Sequence, residues 1–455
     1  MTKYLLKILL SAVGCVCAFT LHAAPGDPFP AGSPAAIQVS YEFAIYYTAK
    51  PSAQPLQALK EWLAASKSGP RLVATLPRRA DEPLVTARLD TDAQQDYRPP
   101  SLGMLDRFGR GLSREQAAAL QGPTQAFILR FAHAQKQGMA AYRQSLELTE
   151  QVARATNGLL WDEETREVYT ADEWRKRRLD SWQGDLPDIT MHTVIHAYQP
   201  GKLVRAITLG MGKFGLPDIV VEDFSWSMNR PMGNLVNLLS QSLGEGLVVG
   251  AKGRCDVDMK TLRHARARES QSTDLLQGST GRAHLQLVEG RREDGDPDNR
   301  LVEIRFDAHR GNDVHARQEA LLNSLYGSKD AITYIQHDQA LLAASEAARA
   351  RLPALQKAFA QGLAPGEFIL VKAPFDTPKG GKEWMWVEIT TWSGDRITGL
   401  LKNDPFNIPA LHAGQMVTVS QATLFDYIRR FPDGHEKGNN TGRVIEQKQK
   451  QKAGR

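Results

Sequence analysis

Residues 37–47 of the chain read IQVSYEFAIYY, and this stretch decides the class of fold at the N-terminus. Its β-branched and aromatic side chains recur at every second position, which predicts a strand. Residues 55–66 then carry three leucines at helical spacing, and residues 72–76 predict a second strand. A strand, a helix and a strand in succession indicate a region that mixes helices with a sheet.

The last quarter of the chain has a different pattern. Short runs of β-forming residues alternate there with turns rich in proline and glycine, which is typical of a small β-barrel or a curled sheet. These runs are residues 368–372, 384–390, 397–401 and 416–420. We therefore predict an α+β chain, with a mixed N-terminal region of sheet and helices and a small C-terminal β-rich, barrel-like domain.

The expected domain boundaries follow the changes in composition. An α+β region covers residues 37–340 and divides into two subdomains, if at all, near residues 245–280. An alanine-rich helix at residues 341–363 bridges to the β-rich domain at residues 364–446. The strongly polar residues 447–455 predict a disordered basic tail.

The first residues of the chain have the order of a secretory signal. Lys3 and Lys7 give a positive start, an apolar run follows, and small residues end the segment. We place the cleavage after Ala23, which leaves residues 24–36, rich in proline, glycine, serine and alanine, as a short leader. The expected location is periplasmic or secreted, with a lipoprotein attached through Cys15 as the alternative.

Composition, charge and cysteine count limit the kinds of partner that we expect for the chain. The 455 residues are 42% hydrophobic and 24% charged, ordinary values for a globular protein. The formal charge is +5, but basic and acidic residues are interleaved, so we predict no nucleic-acid partner. Two of the three cysteines lie in the predicted signal, which leaves Cys255 alone and no internal disulfide. We expect no cofactor, and no transmembrane span after removal of the signal.

Four segments near the C-terminus stand in an order that resembles a known family. They are EFILVKAPF at residues 367–375, EWMWVE at 383–388, ITGLLKNDP at 397–405 and GHEKGNNTG at 434–442. Together they resemble the YegJ-like domain of unknown function found in bacterial proteins, over about residues 360–446. The resemblance implies a small β-rich domain, and it implies no reaction.

The N-terminal region carries a second resemblance. Residues 37–226 resemble another bacterial domain of unknown function. The segments that carry the likeness are LWDEET at residues 160–165, ADEW at 171–174, and TLGMG at 208–212 with the phenylalanine and glycine that follow. This resemblance also implies no activity.

One strand of the β-rich domain offers a ligand-binding surface. Alternation along residues 384–390 places Trp384, Trp386 and Glu388 on one face and Met385 with its aliphatic neighbours on the other. Two tryptophans beside a glutamate suit a partly wet surface on which a peptide or a sugar could stack. The alternative is that both tryptophans pack under the preceding helix or against the N-terminal region.

The histidines give two weak metal sites. His192 and His196 flank Val194 on one face of a predicted strand, and His309 and His315 lie near each other with two aspartates between and before them. A zinc site needs three or four ligands in a defined geometry, and neither group supplies them. We therefore predict no metal site.

Several other motifs predict structure rather than chemistry. The glycines of GMGKFG at residues 210–215 match a dinucleotide pattern, but a strand is predicted where the phosphate-binding helix should begin. The acidic residues 162–164 and the basic residues 175–178 predict a solvated turn and a solvated helix face. Cys255 is expected to be a small buried residue rather than a nucleophile.

These observations favour a non-catalytic protein of the cell envelope that binds a peptide, a glycan or another protein. The alternative is an envelope hydrolase whose site is assembled from distant residues, with the histidines or Cys255 as candidates. A purely structural or stress-related factor is a third hypothesis. An enzyme should gather several titratable side chains in a concave pocket, whereas a binding protein needs only an exposed surface.

Overall fold

The computed structural model describes residues 24–273, 275–327 and 339–453. The predicted signal peptide, its cleavage site and Cys15 fall on residues 1–23, outside the described residues. Helices make up 35% and strands 29% of the structure, in mixed sheets, which confirms the α+β class. Among the described residues, no helix is long and apolar enough to cross a membrane.

The first sheet is built around the strand that opens the sequence. Its strands are β1 (Gln38–Tyr47), β2 (Arg71–Leu72), β3 (Leu84–Asp90), β4 (Gly109–Arg110), β5 (Gln125–Ala134), β6 (Leu159–Asp162) and β7 (Glu167–Tyr169). They are ordered β2-β3-β5-β1-β6-β7-β4. Phe43 of β1 enters the main core, whereas Ala44 and Tyr46 enter a second cluster on the opposite face. Both faces of β1 are therefore covered, as a central strand requires.

Helices cover the two faces of this sheet. They are α1 (Pro55–Ala65), α2 (Ala93–Asp96), α3 (Leu102–Phe108), α4 (Arg114–Ala119), α5 (Gly138–Thr156) and α6 (Ala171–Trp174). Helix α5 packs on α1 and on β5, and a cluster that contains Ala93, Leu105 and Leu120 closes the opposite face. Residues 89–121 thus contain the end of β3, the short strand β4 and three short helices.

A second sheet follows a two-stranded ribbon. The ribbon is β8 (Trp182–Gln183) and β9 (Leu186–Pro187), and the sheet contains β10 (Val194–Tyr198), β11 (Val204–Leu209), β12 (Asp218–Phe224), β13 (Arg254–Asp258), β14 (Arg282–Glu289) and β15 (Leu301–Arg305). The order is β10-β11-β12-β15-β14-β13, and only β12 and β15 pair in parallel among these strands. Strand β10 is therefore an edge strand.

Three helices, α7 (Asn229–Gly244), α8 (Ala265–Ser272) and α9 (Val314–Tyr326), complete this region. One continuous hydrophobic cluster contains Phe43 of the first sheet, Ile219 of the second sheet and Leu325 of α9. The same cluster contains Val249 and Leu262, within the segment where a break between subdomains was expected. The two sheets thus share a single core.

The segment predicted as a leader is packed against the second sheet. Phe29 is 1% exposed, and its backbone N–H donates to the carbonyl oxygen of Leu287 at 3.0 Å. The guanidinium of Arg300 lies 4.1 Å from the centre of the Phe29 ring. Residues 24–36 therefore belong to the folded structure, because an aromatic side chain among them completes the core.

The C-terminal region has its own core. It contains α10 (Gln339–Arg349), α11 (Leu352–Ala360), β16 (Phe368–Asp376), β17 (Lys382–Ser393), β18 (Arg396–Leu401), β19 (Met416–Ser420), β20 (Asp426–Arg430), β21 (Glu436–Gly438) and α12 (Asn440–Ala453). The sheet order is β19-β18-β17-β16-β20-β21, all antiparallel. The sheet is open rather than barrel-like, because β19 and β21 do not pair with each other.

Two expectations about helices in this region are corrected. The helix predicted at residues 341–363 is two helices, because Pro353 lacks the N–H that a continuous helix would need and instead lies in the first turn of α11. Ala348 and Leu355 enter the C-terminal core, so both helices belong to this region rather than bridge to it. Helix α12 reaches Ala453 and packs on α10, where a disordered tail was predicted from residue 447.

Candidate functional site

Two polar contacts join the N-terminal region to the C-terminal sheet. The carboxylate of Glu388 on β17 accepts hydrogen bonds from the backbone N–H of Ser227, at 3.2 Å, and from its hydroxyl. The ammonium of Lys402 lies 2.5 Å from the carboxylate of Glu319 on α9. All four side chains are buried or half-buried. These bonds therefore hold the C-terminal sheet against the N-terminal region, and a groove lies between the two.

This interdomain groove has a volume of about 1090 Å³. One side is formed by edge strand β10, including Ile195, His196 and Tyr198, and by Trp226. Helix α3 and the segment at residues 430–434 also line the groove. The groove is open to solvent and has both apolar and charged walls.

Positive charge dominates the groove. Among the described residues that line it, four are arginines (Arg107, Arg166, Arg230 and Arg430) and one, Asp433, carries a carboxylate. Arg430 is paired with Glu436. Arg107 and Arg166 form no ion pair with any described side chain, and Arg166 donates a hydrogen bond to the carbonyl oxygen of Gly295 at 3.1 Å. Such arginines keep their full charge and can bind an anion through paired N–H donors.

Arg166 and His196 lie close enough to influence each other. Burial, together with the positive charge of Arg166, lowers the pKa of His196 below its ordinary value. The His196 ring stacks on Tyr198 with a centroid distance of 5.4 Å. Arg166 itself has a φ of 56° in the tight turn between β6 and β7, which projects it from the first sheet toward β10 of the second. At neutral pH this corner presents one fixed cation beside a neutral ring.

The predicted ligand-binding residues Trp384, Trp386 and Glu388, here called the tryptophan platform, lie on β17. Each of the three has a different environment. Met385 and its aliphatic neighbours are in the core, which confirms the predicted alternation. Trp384 packs against Phe425 at 4.6 Å between ring centroids, and the ammonium of Lys372 lies 5.6 Å from the Trp386 ring. Glu388 is 4% exposed and is bonded to Ser227, so its carboxylate already has partners. Binding of a ligand to the two tryptophans stays a prediction.

His192 and His196 do not share a strand. Residues Ile189–Met191 form a 3₁₀ turn, so β10 begins only at Val194 and His192 lies before it. The buried His192 ring bonds the hydroxyl of Tyr142 at 2.9 Å and that of Ser181 at 3.1 Å. Burial lowers the pKa of His192 well below its ordinary value, so the ring is a neutral part of the core.

The second predicted pair of histidines is also separated. His309 bonds the carbonyl oxygen of His284 at 3.0 Å, and the buried His315 lies in the first turn of α9. Across the described residues, no three histidine, cysteine, aspartate or glutamate side chains are grouped so that they could hold a metal ion. His309 and His315 thus lie in separate local environments.

The charged segments expected to be solvated are only partly so: Glu163, Arg175 and Lys176 are exposed, whereas Asp162 and Arg178 meet in the core. Asp162 is fully buried, and its carboxylate lies 2.8 Å from Arg178 and 2.5 Å from Lys213. Burial opposes ionisation of Asp162, but the charges of Lys213 and Arg178 outweigh it and hold its pKa below the ordinary value. Tyr169 accepts a further hydrogen bond from Arg178 at 2.7 Å. A charge buried without such partners would be prohibitively unfavourable, which is why the sequence places three together.

Glu164 lies near Lys213 of this buried cluster and also lines an acidic cleft of about 690 Å³. Glu163 and Asp298 line the same cleft. Burial raises the pKa of Glu164 to about 8, against the lowering effect of Lys213. A Cβ atom on Gly212 would lie 3.0 Å from the Glu164 carboxylate, so the glycine permits this close approach. Glu164 is a group that can hold or release a proton near neutral pH.

The remaining motifs have structural roles. Residues Met211–Phe214 of GMGKFG form a 3₁₀ turn that leads into β12, with no α-helix to bind a phosphate. Cys255 is 6% exposed on β13, and burial raises its pKa to about 12. A thiol in this state is a poor nucleophile.

The chain is thus an α+β protein in which a larger N-terminal region and an open six-stranded C-terminal sheet enclose a basic groove. Residues 338–453 match the family DUF2314, described as an uncharacterized protein conserved in bacteria. The match covers about a quarter of the chain and includes α10 and α11 as well as the sheet. It confirms the prediction of a C-terminal domain of unknown function. No curated protein and no solved structure matches the chain.

Proposed function

We propose that the chain is an exported protein of the cell envelope that binds an acidic peptide in the interdomain groove. The observation that carries this proposal is that Arg107 and Arg166 line the groove without forming an ion pair with any described side chain. Arginine guanidinium groups bind carboxylates through two parallel hydrogen bonds, and they do so most strongly when partly shielded from water. A peptide with several acidic side chains complements this lining.

The shape of the groove supports a peptide rather than a small ion. Its volume of about 1090 Å³ exceeds the range typical of small-molecule sites, and it runs along a strand. Tyr198, Trp226 and Phe431 line it, so the ligand would bury apolar atoms as well as charge. The mixed lining favours an amphipathic chain.

Export is part of the proposal and is supported by the order of charged, apolar and small residues before Ala24. Fractionation of cells that produce a C-terminally tagged chain tests it. We expect the tagged protein in the periplasm or the medium, with Ala24 as its first residue. Retention in the cytoplasm with an intact first segment would contradict export without affecting the groove.

Binding is tested with an acidic peptide and a matched pair of variants. The probe is a fluorescein-labelled octapeptide, (Thr-Glu)₄, measured by fluorescence anisotropy at low salt. The double variant Arg107→Glu, Arg166→Glu should weaken binding by about tenfold or more, because each change converts an attraction into a repulsion. The control is Arg78→Glu, Arg79→Glu, which changes charge equally on an exposed loop.

Two results would contradict the peptide-binding proposal. One is failure of the parent protein to bind the probe at any salt concentration. The other is an equal loss of affinity in the groove variant and in the loop control, since binding would then follow net charge alone. A loss caused instead by Trp384→Ala, Trp386→Ala would move the site to the predicted tryptophan platform.

One observation favours a second candidate function, hydrolysis in the acidic cleft. A carboxyl group whose pKa is about 8, as in Glu164, is suited to act as a general acid at neutral pH. The test is release of soluble products from purified peptidoglycan and from casein by the parent protein and by Glu164→Gln. Activity that Glu164→Gln abolishes would favour this function, and absence of activity in the parent would remove it.

A further inference from the structure

Strand β10 has an open edge inside the interdomain groove. It pairs with β11 alone, through the register Val194↔Leu209 to Tyr198↔Arg205. In an antiparallel pair, alternate residues direct their N–H and C=O groups toward the partner strand, and the others direct theirs away from it. Among the described residues, no hydrogen bond from outside β11 reaches the backbone of β10. The outward groups therefore face the groove.

The sequence of β10 lacks the features that usually protect an edge. Its five residues read VIHAY, with no proline, lysine or carboxylate. Strands β2, β4, β13 and β21, at other sheet edges, each carry charged residues. The edge strand β19 is also uncharged, but it does not line the groove. An unprotected edge in a basic groove suits a second strand of opposite charge.

The two faces of β10 differ in a way that would orient an added strand. Ile195 and Ala197 are partly buried against the main core, so their face is apolar. His196 and Tyr198 project to the opposite face. There burial and the charge of Arg166 lower the pKa of His196, whereas Asp296 raises it. The Tyr198 hydroxyl donates to Glu293 at 2.9 Å on this face. Side chains of an added strand alternate between the same two faces as those of β10. Acidic residues at every second position would therefore all lie on the polar face, where those beside His196 can reach Arg166.

We propose that the groove binds its acidic peptide as an additional strand paired with the outer edge of β10. This inference rests on the proposed function and adds the mode of binding. Main-chain hydrogen bonds to β10 supply affinity that does not depend on sequence. Acidic side chains at alternate positions, opposite Arg166, supply the selection.

The test changes the peptide and leaves the protein intact. Two forms of (Thr-Glu)₄ are compared with the parent peptide: one is N-methylated at every glutamate amide and the other at every threonine amide. In an added strand only one set of alternate amides donates to β10, and the other set points to solvent. A shift by one residue would move the glutamates to the apolar face of Ile195 and Ala197, away from Arg166.

We expect one methylated peptide to lose at least about tenfold in affinity and the other to stay within about threefold of the parent, since several hydrogen bonds are lost in one case only. Equal affinity of the two methylated forms, whether retained or lost, would overturn strand addition. In that case the proposed function would still stand if the unmethylated peptide bound the protein and if Arg107→Glu, Arg166→Glu weakened this binding. Absence of binding by the unmethylated peptide would refute both.

Discussion

The ammonium of Lys213 lies 2.5 Å from the carboxylate of Asp162, and both side chains are fully buried. Asp162 ends β6 of the first sheet, whereas Lys213 lies in the turn between β11 and β12 of the second sheet. The ion pair therefore joins the two sheets of the N-terminal region through their shared core. Arg178 contributes a second cation to the same carboxylate.

The first prediction is that Lys213→Met lowers the free energy of unfolding by about 3 kcal/mol or more, because it leaves a buried carboxylate with one cation fewer. The measurement is urea denaturation. Lys382→Met is the control, since Lys382 pairs with Asp376 at the exposed end of β17 and should cost less than about 1 kcal/mol. Adding Asp162→Asn to Lys213→Met should cost less than the sum of the two single changes. Equal effects of the two lysine variants would contradict the prediction.

The second prediction concerns pH and Glu164. Its pKa in the folded state is raised to about 8, from an ordinary 4.5, so between these values the folded state binds more protons than the unfolded state. The free energy of unfolding should therefore fall as the pH rises through this window. Asp218 acts in the same direction, but only up to about pH 6. Histidines whose pKa is lowered by burial, such as His192, act in the opposite direction near pH 6.5, because there the unfolded state binds more protons. A variant of Glu164 is therefore needed to identify its contribution between pH 6.5 and 8.

Glu164→Gln should flatten the decline between pH 6.5 and 8, because the amide resembles the protonated acid and does not titrate. Urea denaturation at several pH values measures the slope. Glu82→Gln serves as the control, since Glu82 forms an exposed pair with Arg71. A decline in Glu164→Gln as steep as in the parent would show that Glu164 is not its source.

The third prediction concerns the contact that fixes the groove. Ser227→Ala and Glu388→Ala should show a coupling energy of about 1.5–3 kcal/mol in a double-mutant cycle, as expected for hydrogen bonds to a charged group. Glu383→Ala provides the comparison, because its carboxylate binds backbone N–H groups within the C-terminal region. Ser227 should show no coupling to Glu383. Additive effects of Ser227 and Glu388 would mean that their bond does not hold the two regions together.

The fourth prediction concerns residues 24–36. Phe29→Ala should lower the free energy of unfolding by about 3–5 kcal/mol, because the ring is buried in the main core. Ile37, whose side chain is 74% exposed, supplies the control variant Ile37→Ala with an expected change below about 0.5 kcal/mol. If the two variants are equally stable, residues 24–36 are a dispensable leader, as the sequence alone had indicated.

Local patterns predicted much of the fold. The alternation in residues 37–47 gave β1, and that in residues 384–390 gave the core face of β17, because successive side chains of a strand point to opposite faces. The helix predicted at residues 341–363 failed at Pro353, where hydrophobic spacing continues but the backbone hydrogen bonds do not.

The sequence did not predict the groove. Trp384 and Trp386 were chosen for their residue types, and their binding of a ligand stays a prediction. The groove is lined by Arg107 and Arg166, which are far apart in the chain. No local pattern marks such a set. The unprotected sequence VIHAY was the one local signal, and it becomes informative only once β10 is known to be an edge.

The sequence by itself determined the α+β class, the β-rich C-terminal domain and the buried state of Cys255, because each depends on periodicity or on residue type. Only the tertiary structure decided that Asp162, Arg178 and Lys213 form a buried cluster and that β10 borders a basic groove. The physical reason is that the burial of a charge depends on partners from distant segments. A charged turn and a solvated helix have the same local sequence whether or not the fold brings them together.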